Sequence, residues 1–437
     1  MTTTLSKGLR GFLIDAPEPG RLRGVRDGAV WIEDGVIAAA GPFDEVRRVP
    51  GTERIQWQHS PEAVIIPGLV DLRADVPQYS AVARAESTRP HWQERQAGPA
   101  AKEFNAAAAR ELAPSFFEAL ARNGTTCAML YAGDSEESCD AVFEAAEKLG
   151  ARAVLGMALG DGAYSDSLAL EWSERLCRRW HGRDGGRIEY VFSPRNIVAC
   201  GEELLREAAL RARKFDAFFQ FSLAETQDEA AAVRRAFPQH ADAVAVCEDF
   251  GMLGDRSVLG HCVHLDDAVF RRLAESRAAV AHCPTSNLFL NSGILPLDQV
   301  LEAGLRVGLG SDVGGGPELD LWRVMRCVIE SQKARAFYQP GTRVPTATEV
   351  FYLATLGGAR ALGKEALIGT LDLGKDADLV VLDLAHALPH GARGNVHCDL
   401  SAEEVLTMLV YRGGPRTVVE TFVRGASIYR APAPLLF

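Results

Sequence analysis

The stretch that decides the reading is Ile65–Ser80, IIPGLVDLRADVPQYS. An apolar run passes through Pro67-Gly68 into Leu69-Val70, and the chain then places Arg73 and Asp75 two residues apart. Alternate residues of a strand share a face, so both charges project to the same side. Val76-Pro77-Gln78-Tyr79 follows. The segment therefore reads as a buried strand whose last turn carries an ion pair's worth of charge. Such charge is costly in a plain core.

Downstream of this strand the chain alternates regularly. Residues 104–124, FNAAAARELAPSFFEALARNG, predict a helix ended by Gly124, and TTCAMLY predicts a strand after it. SCDAVFEAAEKLG is a second helix and ARAVLGMAL a second strand. GRIEYVFSP, FFQFSLAE, SVLGHCVHL, AAVAHCPTS and RVGLGSDVG are further strands, each beside a helical segment. This is the pattern of βαβ units and a parallel sheet, and about eight strands over ~300 residues fit a (β/α)8 TIM barrel. GLGSDVGGG follows a strand without a succeeding Lys-Ser/Thr, so it is a weak phosphate signal.

The two chain ends differ from this middle. GAVWIEDGVIAAAGP predicts a hairpin turning at Asp34-Gly35. Near the other terminus ADLVVLDL reads as a strand and VVETFVRGASIY as strand, Arg-Gly turn and strand. The two ends are expected to join in one small β-sandwich domain, residues 1–66 with 366–437, leaving 67–365 for the barrel.

Composition excludes several classes. The 437 residues are 47% hydrophobic and 24% charged, as in a globular protein. A net charge of −11 argues against nucleic acid as a partner. No apolar run is long enough for a membrane span, and the N-terminal stretch has no signal-type apolar region, so a cytoplasmic location and no membrane partner are expected. Nine scattered cysteines without a CxxC pair read as reduced thiols. The Arg-rich RLCRRWHGR and the tryptophans read as solvated helix surface.

In a barrel the functional groups gather at the C-terminal ends of the strands. The polar residues at those ends are Arg73, Asp75, Arg195, Ser222, Glu225, His261, His264, His282 and Asp312. In their order and context they resemble the amidohydrolase superfamily, and within it the guanine deaminases. PGLVDLRADVPQYS is similar to that group's Pro-Gly-x-x-Asp-x-His-x-His-x-Pro-Gln-Tyr opening. SPRNIVACGEELL, FSLAETQDE, LGHCVHLDD, AHCPTSNLFLNSG and GLGSDVGGG follow in the family's order. The resemblance implies a zinc site made by two strand-one histidines, a strand-five histidine and a strand-eight aspartate. It also implies a proton-shuttling glutamate, matched by Glu225, and a strand-six histidine, matched by His261. Guanine-contacting Gln and Arg match Gln78 and Arg195, while the aromatic after that Arg is Asn196 here. The family tends to dimerise, which implies a homodimer.

Carried over by position, three of the four zinc ligands are gone. The histidines are replaced by Arg73, Asp75 and Ser222, and only Asp312 is kept. Arginine is always protonated and only donates, and serine is a poor ligand. No metal and no other cofactor is therefore expected. Zinc lowers the pKa of bound water from about 15.7 to about 7. At ~1.36 kcal/mol per unit its loss forfeits on the order of 12 kcal/mol of nucleophile activation. A guanidinium near the old metal position is expected to fork onto Asp312, Asp75 or Glu225, either as a structural plug or as a clamp on a substrate oxygen. Three functions stay open. One is a metal-independent enzyme on a guanine-like or other small planar heterocycle, with Glu225, His261, Asp75 and Asp312 in acid–base roles, Arg73 stabilising charge, and Gln78, Arg195, Asn196 and Ser222 contacting the ligand. The second is a pseudoenzyme that binds a purine or pairs with an active partner. The third, an ordinary zinc guanine deaminase, is disfavoured by Arg73 and Ser222.

Overall fold

The computed structural model describes residues 6–86, 88–160, 164–389 and 400–432. The first four strands are β1 (Ser6–Glu18), β2 (Arg21–Glu33), β3 (Val36–Pro42) and β4 (Trp57–Pro67). The next eight are β5 (Leu69–Asp75), β6 (Thr125–Gly133), β7 (Arg152–Leu159), β8 (Ile188–Pro194), β9 (Phe218–Leu223), β10 (Ser257–His261), β11 (Ala279–His282) and β12 (Arg306–Leu309). Three more close the chain: β13 (Leu379–Asp383), β14 (Val418–Val423) and β15 (Ala426–Arg430).

Strands β5 to β12 pair in chain order, all parallel, as the alternation predicts. Beyond β12 the backbone returns to the first strand, with Asp312 N donating to Arg73 O at 2.7 Å and Asp75 N to Val313 O at 3.3 Å. These bonds join the last strand's exit to β5 and set Arg73, Asp75 and Asp312 side by side. The intervening helices carry the expected caps. In the helix Ala106–Arg122, Asn105 Oδ1 accepts from the amides of Ala107 and Ala108, and Ala109, Ala113, Phe116, Phe117 and Leu120 turn inward at helical spacing. Gly124 ends it at φ 81°, a conformation that glycine adopts without a Cβ penalty.

The strands from both termini form one sheet, ordered β15-β14-β13-β4-β1-β2-β3. It curls on itself. A Cβ on Gly35, in the β2–β3 turn, would lie 2.9 Å from Arg424 O in the β14–β15 turn. Leu9, Leu13, Val30, Ile32, Ile65, Leu379 and Phe422 share the core so enclosed. The hairpin turn falls at Asp34-Gly35, both at positive φ, as the right-handed twist of a two-residue loop requires. Ile14, Ala16, Val64 and Ile66 belong instead to the core shared with the barrel. Arg152, at the start of β7 and fully buried, pins the two units together. Its Nε donates to Asp378 at 2.8 Å and its Nη2 to Asp376 at 2.6 Å.

One reading needs correction. Trp180 of RLCRRWHGR is buried and stacks on Phe143, and Trp31, Trp92 and Trp322 are buried too. A helical period of 3.6 turns one face of even an Arg-rich helix to the core. The eight cysteines among the described residues are free thiols, seven of them buried; Cys398 lies outside the described residues. No described helix is long and apolar enough to cross a membrane.

Candidate active site

At the C-terminal ends of the barrel strands lies a cavity of about 170 Å³. Arg73, Asp75, Gln78, Arg195, Asn196, Ser222, Glu225, His261 and Asp312 all line it. The backbone there is strained. Ala224, His261, Cys262 and Asp312, at the exits of β9, β10 and β12, have φ of 47°, 71°, 53° and 48°. Left-handed conformations in non-glycine residues cost of order 1–3 kcal/mol each and cluster at working sites.

Arg73 is the hub. Its Nε donates to Asp312 Oδ1 at 2.8 Å, its Nη2 to Ser222 Oγ at 2.8 Å and its Nη1 to Tyr131 OH at 3.3 Å. Of the three acid partners open to it, Arg73 takes Asp312. Asp75 is held by Arg195 Nη1 and by the Gln78 amide at 3.0 Å. Glu225 is held by Arg89 Nε at 2.5 Å. The guanidiniums of Arg73 and Arg195 lie 5.0 and 4.9 Å from the Tyr131 ring centre, within cation–π range. Room for Arg73 depends on a small neighbour: a Cβ on Gly260 would meet its Nη1 at 2.8 Å.

Glu225, His261 and Asp312 converge. His261 Nε2 lies 3.6 Å from Glu225 Oε2 and 3.8 Å from Asp312 Oδ2, while its Nδ1 is 2.8 Å from Asn287 Oδ1. Burial alone would push the Glu225 carboxyl up, but the charges of Arg89, His261 and Arg73 and a bond from Ser292 outweigh it and hold it below its usual value. Its ionised form is thus the stable one at neutral pH. Glu229, whose Oε2 accepts from the Glu225 amide at 3.1 Å, goes the other way, pushed up to about 7 by burial and then by the charge of Glu225.

The remaining sequence candidates settle differently. His264 Nε2 bonds to Ser292 O at 2.7 Å. His282 has no partner for either ring nitrogen among the described residues, and burial, with His261 nearby, pushes it down to about 3. Asn196 spends its Oδ1 on the amides of Val198 and Ala199. Arg89, Trp92 and Tyr131 also line the cavity and were not singled out in the sequence. Tyr131 ends an apolar strand, where an aromatic reads as core. Arg89 and Trp92 sit on a short helix broken by a π turn at Gln93–Ala97, in a segment without clear periodicity.

The donor set does not fit a zinc ion of the kind the resemblance implies. Zinc needs open lone pairs from several N, S or carboxylate ligands. Here a guanidinium stands between Asp312 and Ser222, spending N–H donors on both. Among the described residues no group of three His, Cys, Asp or Glu side chains is placed to hold a metal.

A profile of the amidohydrolase family matches residues 64–428. The chain belongs to the amidohydrolase family. Among the amidohydrolases, guanine deaminase of Escherichia coli (strain K12) is 31% identical over 441 aligned residues, covering 97% of this chain and 98% of that protein. The probable guanine deaminase of Deinococcus radiodurans is 32% identical, covering 95% of each. The solved structure of the E. coli guanine deaminase superposes with a TM-score of 0.90 at 29% identity, over 98% of this chain and all of that one. This amidohydrolase is guanine deaminase-like in sequence and fold throughout its length.

Proposed function

We propose that this chain is a metal-independent enzyme acting on a guanine-like or other small planar heterocycle by acid–base chemistry. The observation that carries the reading is the convergence of Glu225, His261 and Asp312 on one point beside a buried guanidinium. A proton can pass among these three groups at the cavity wall. Glu225, kept ionised, takes a proton from the ligand; His261 Nε2 receives or returns it. Arg73, fixed by Asp312, Ser222 and Tyr131, faces negative charge that develops on a ring oxygen. General acid–base catalysis of this kind supplies ~10²–10⁴-fold. That suits proton transfer, elimination, cyclisation or hydrolysis of an already activated ring, and falls short of unassisted ring deamination. The relatives named as guanine deaminases motivate the heterocycle, as do Gln78 and Arg195 at the cavity wall. A homodimer, the family tendency, completes the reading.

A second reading has its own support. Arg73 uses all three of its nitrogens on protein partners, as a purely structural replacement for a metal would, leaving a heterocycle-binding protein without chemistry. Turnover of a heterocycle panel by chelator-dialysed protein separates the two. The enzyme reading predicts turnover indifferent to chelator and lost in Glu225→Gln. Binding without turnover across the panel supports the second reading. Turnover that requires added zinc overturns both.

A further inference from the structure

The carboxylates of the cavity are engaged by protein donors, while donors of Arg89 are not. Both oxygens of each of its carboxylates already accept a bond. Glu225 takes Arg89 Nε and Ser292 Oγ; Asp312 takes Arg73 Nε and Ser286 Oγ; Asp75 takes Arg195 Nη1 and the Gln78 amide. Asn196 Oδ1 is occupied by two amides, which leaves its NH2 group. By contrast Arg89 has Glu225 as its one hydrogen-bonding partner among the described residues, so most of the N–H groups of its guanidinium are unused. Trp92, three residues on and 3% exposed, lines the same cavity, and its buried indole Nε1 has no acceptor among the described residues. The Arg89 side chain, 27% exposed, lines the cavity, where an acceptor-rich ligand can engage its unused N–H groups.

We propose that Arg89 is a specificity-determining residue and that the ligand presents an anionic oxygen edge, as an oxidised purine or a heterocyclic carboxylate does, in preference to an aminopurine. This rests on the heterocycle reading above and narrows its substrate class. The cavity's three guanidiniums and three carboxylates balance in formal charge, so the preference comes from the unused N–H groups. Arg89 Nε stays on Glu225 while the terminal nitrogens turn their fork to the ligand, a geometry suited to planar oxyanions. The π turn immediately after Trp92 fits this role, since such turns recur at functional sites.

Calorimetric titration of chelator-dialysed protein with guanine, urate and uracil-6-carboxylate tests the inference, in wild type, Arg89→Gln and Arg89→Lys, with thermal unfolding confirming that each variant is folded. One charge-assisted bond corresponds to roughly 10- to 100-fold in affinity. At least one anionic probe should bind tighter than guanine by that factor. Arg89→Gln should abolish the preference by weakening the anionic probes more than guanine, and Arg89→Lys should recover part of it. Whether urate or the pyrimidine carboxylate is favoured tells ring oxygens from a carboxylate. Guanine bound as tightly as both anions, or Arg89→Gln weakening all three alike, overturns the inference. Anion preference without turnover would sustain it while defeating the enzyme reading; chelator-indifferent turnover of guanine without anion preference would do the reverse.

Discussion

Replacing Arg73 by methionine removes the cation on which the site is built while keeping most of the side-chain volume. The Arg73 side chain is 9% exposed and its partner Asp312 13%, with Nε and Oδ1 2.8 Å apart. Breaking such a pair from one side leaves a buried carboxylate uncompensated, which costs about 3–5 kcal/mol. Asp312 keeps the Ser286 hydroxyl at 2.7 Å, and Ser222 and Tyr131 can turn to water in the cavity, so the lower end, about 3 kcal/mol, is expected. Adding Asp312→Asn removes the stranded charge and should restore about 2 kcal/mol, a coupling readable from a double-mutant cycle. The assay is equilibrium denaturation at neutral pH of wild type, both single variants and the double. A loss below about 1 kcal/mol in Arg73→Met, or no compensation by Asp312→Asn, would refute the view that the guanidinium neutralises this site.

Further outcomes follow from the same geometry. Gly260→Ala places a methyl 2.8–3.0 Å from the Arg73 guanidinium, and should cost about 1–3 kcal/mol in denaturation and lower ligand affinity, because Arg73 must leave its three partners. Glu229, pushed up to about 7 from an ordinary 4.5, holds a proton in the folded state that the unfolded chain releases. Its contribution is full below the ordinary value and is lost as pH rises through about 7, so Glu229→Gln should flatten the fall in stability between about pH 5 and 8. Glu225 has the opposite sign: its contribution is present above the ordinary carboxylate value and fades as pH falls below it, and urea titrations in acid should show this loss diminished in Glu225→Gln. Restoring the family's ligands together, as Arg73→His, Asp75→His and Ser222→His, should create a site retaining about one zinc per chain after dialysis, measured by metal analysis.

Much of this was legible because strand physics is local. Apolar runs ended by a polar residue gave β5 to β12, and the two-residue pleat put Arg73 and Asp75 on one face. Asp34-Gly35 and Arg424-Gly425 were legible as turns through their conformational preferences. The partners were not legible. Arg73 reaches Asp312 and Ser222 across 239 and 149 positions, and nothing in the sequence says that Arg195 claims Asp75 or that Arg89 claims Glu225. Arg89 and Trp92 escaped because their segment is a short helix interrupted by a π turn, which has no 3.6-residue signature to read. His282 shows a different limit: a histidine in a buried strand suggests a hydrogen-bonded role, yet packing left both its nitrogens without a described partner.

The Arg73 guanidinium stands where the resemblance implies a metal. The most direct test is the zinc content of protein produced in zinc-supplemented medium and dialysed without chelator, measured by mass spectrometry beside the protein concentration. Under about 0.1 zinc per chain is expected, with no zinc-induced rise in unfolding temperature. About one zinc per chain, bound through dialysis and lost in Asp312→Asn, would contradict it.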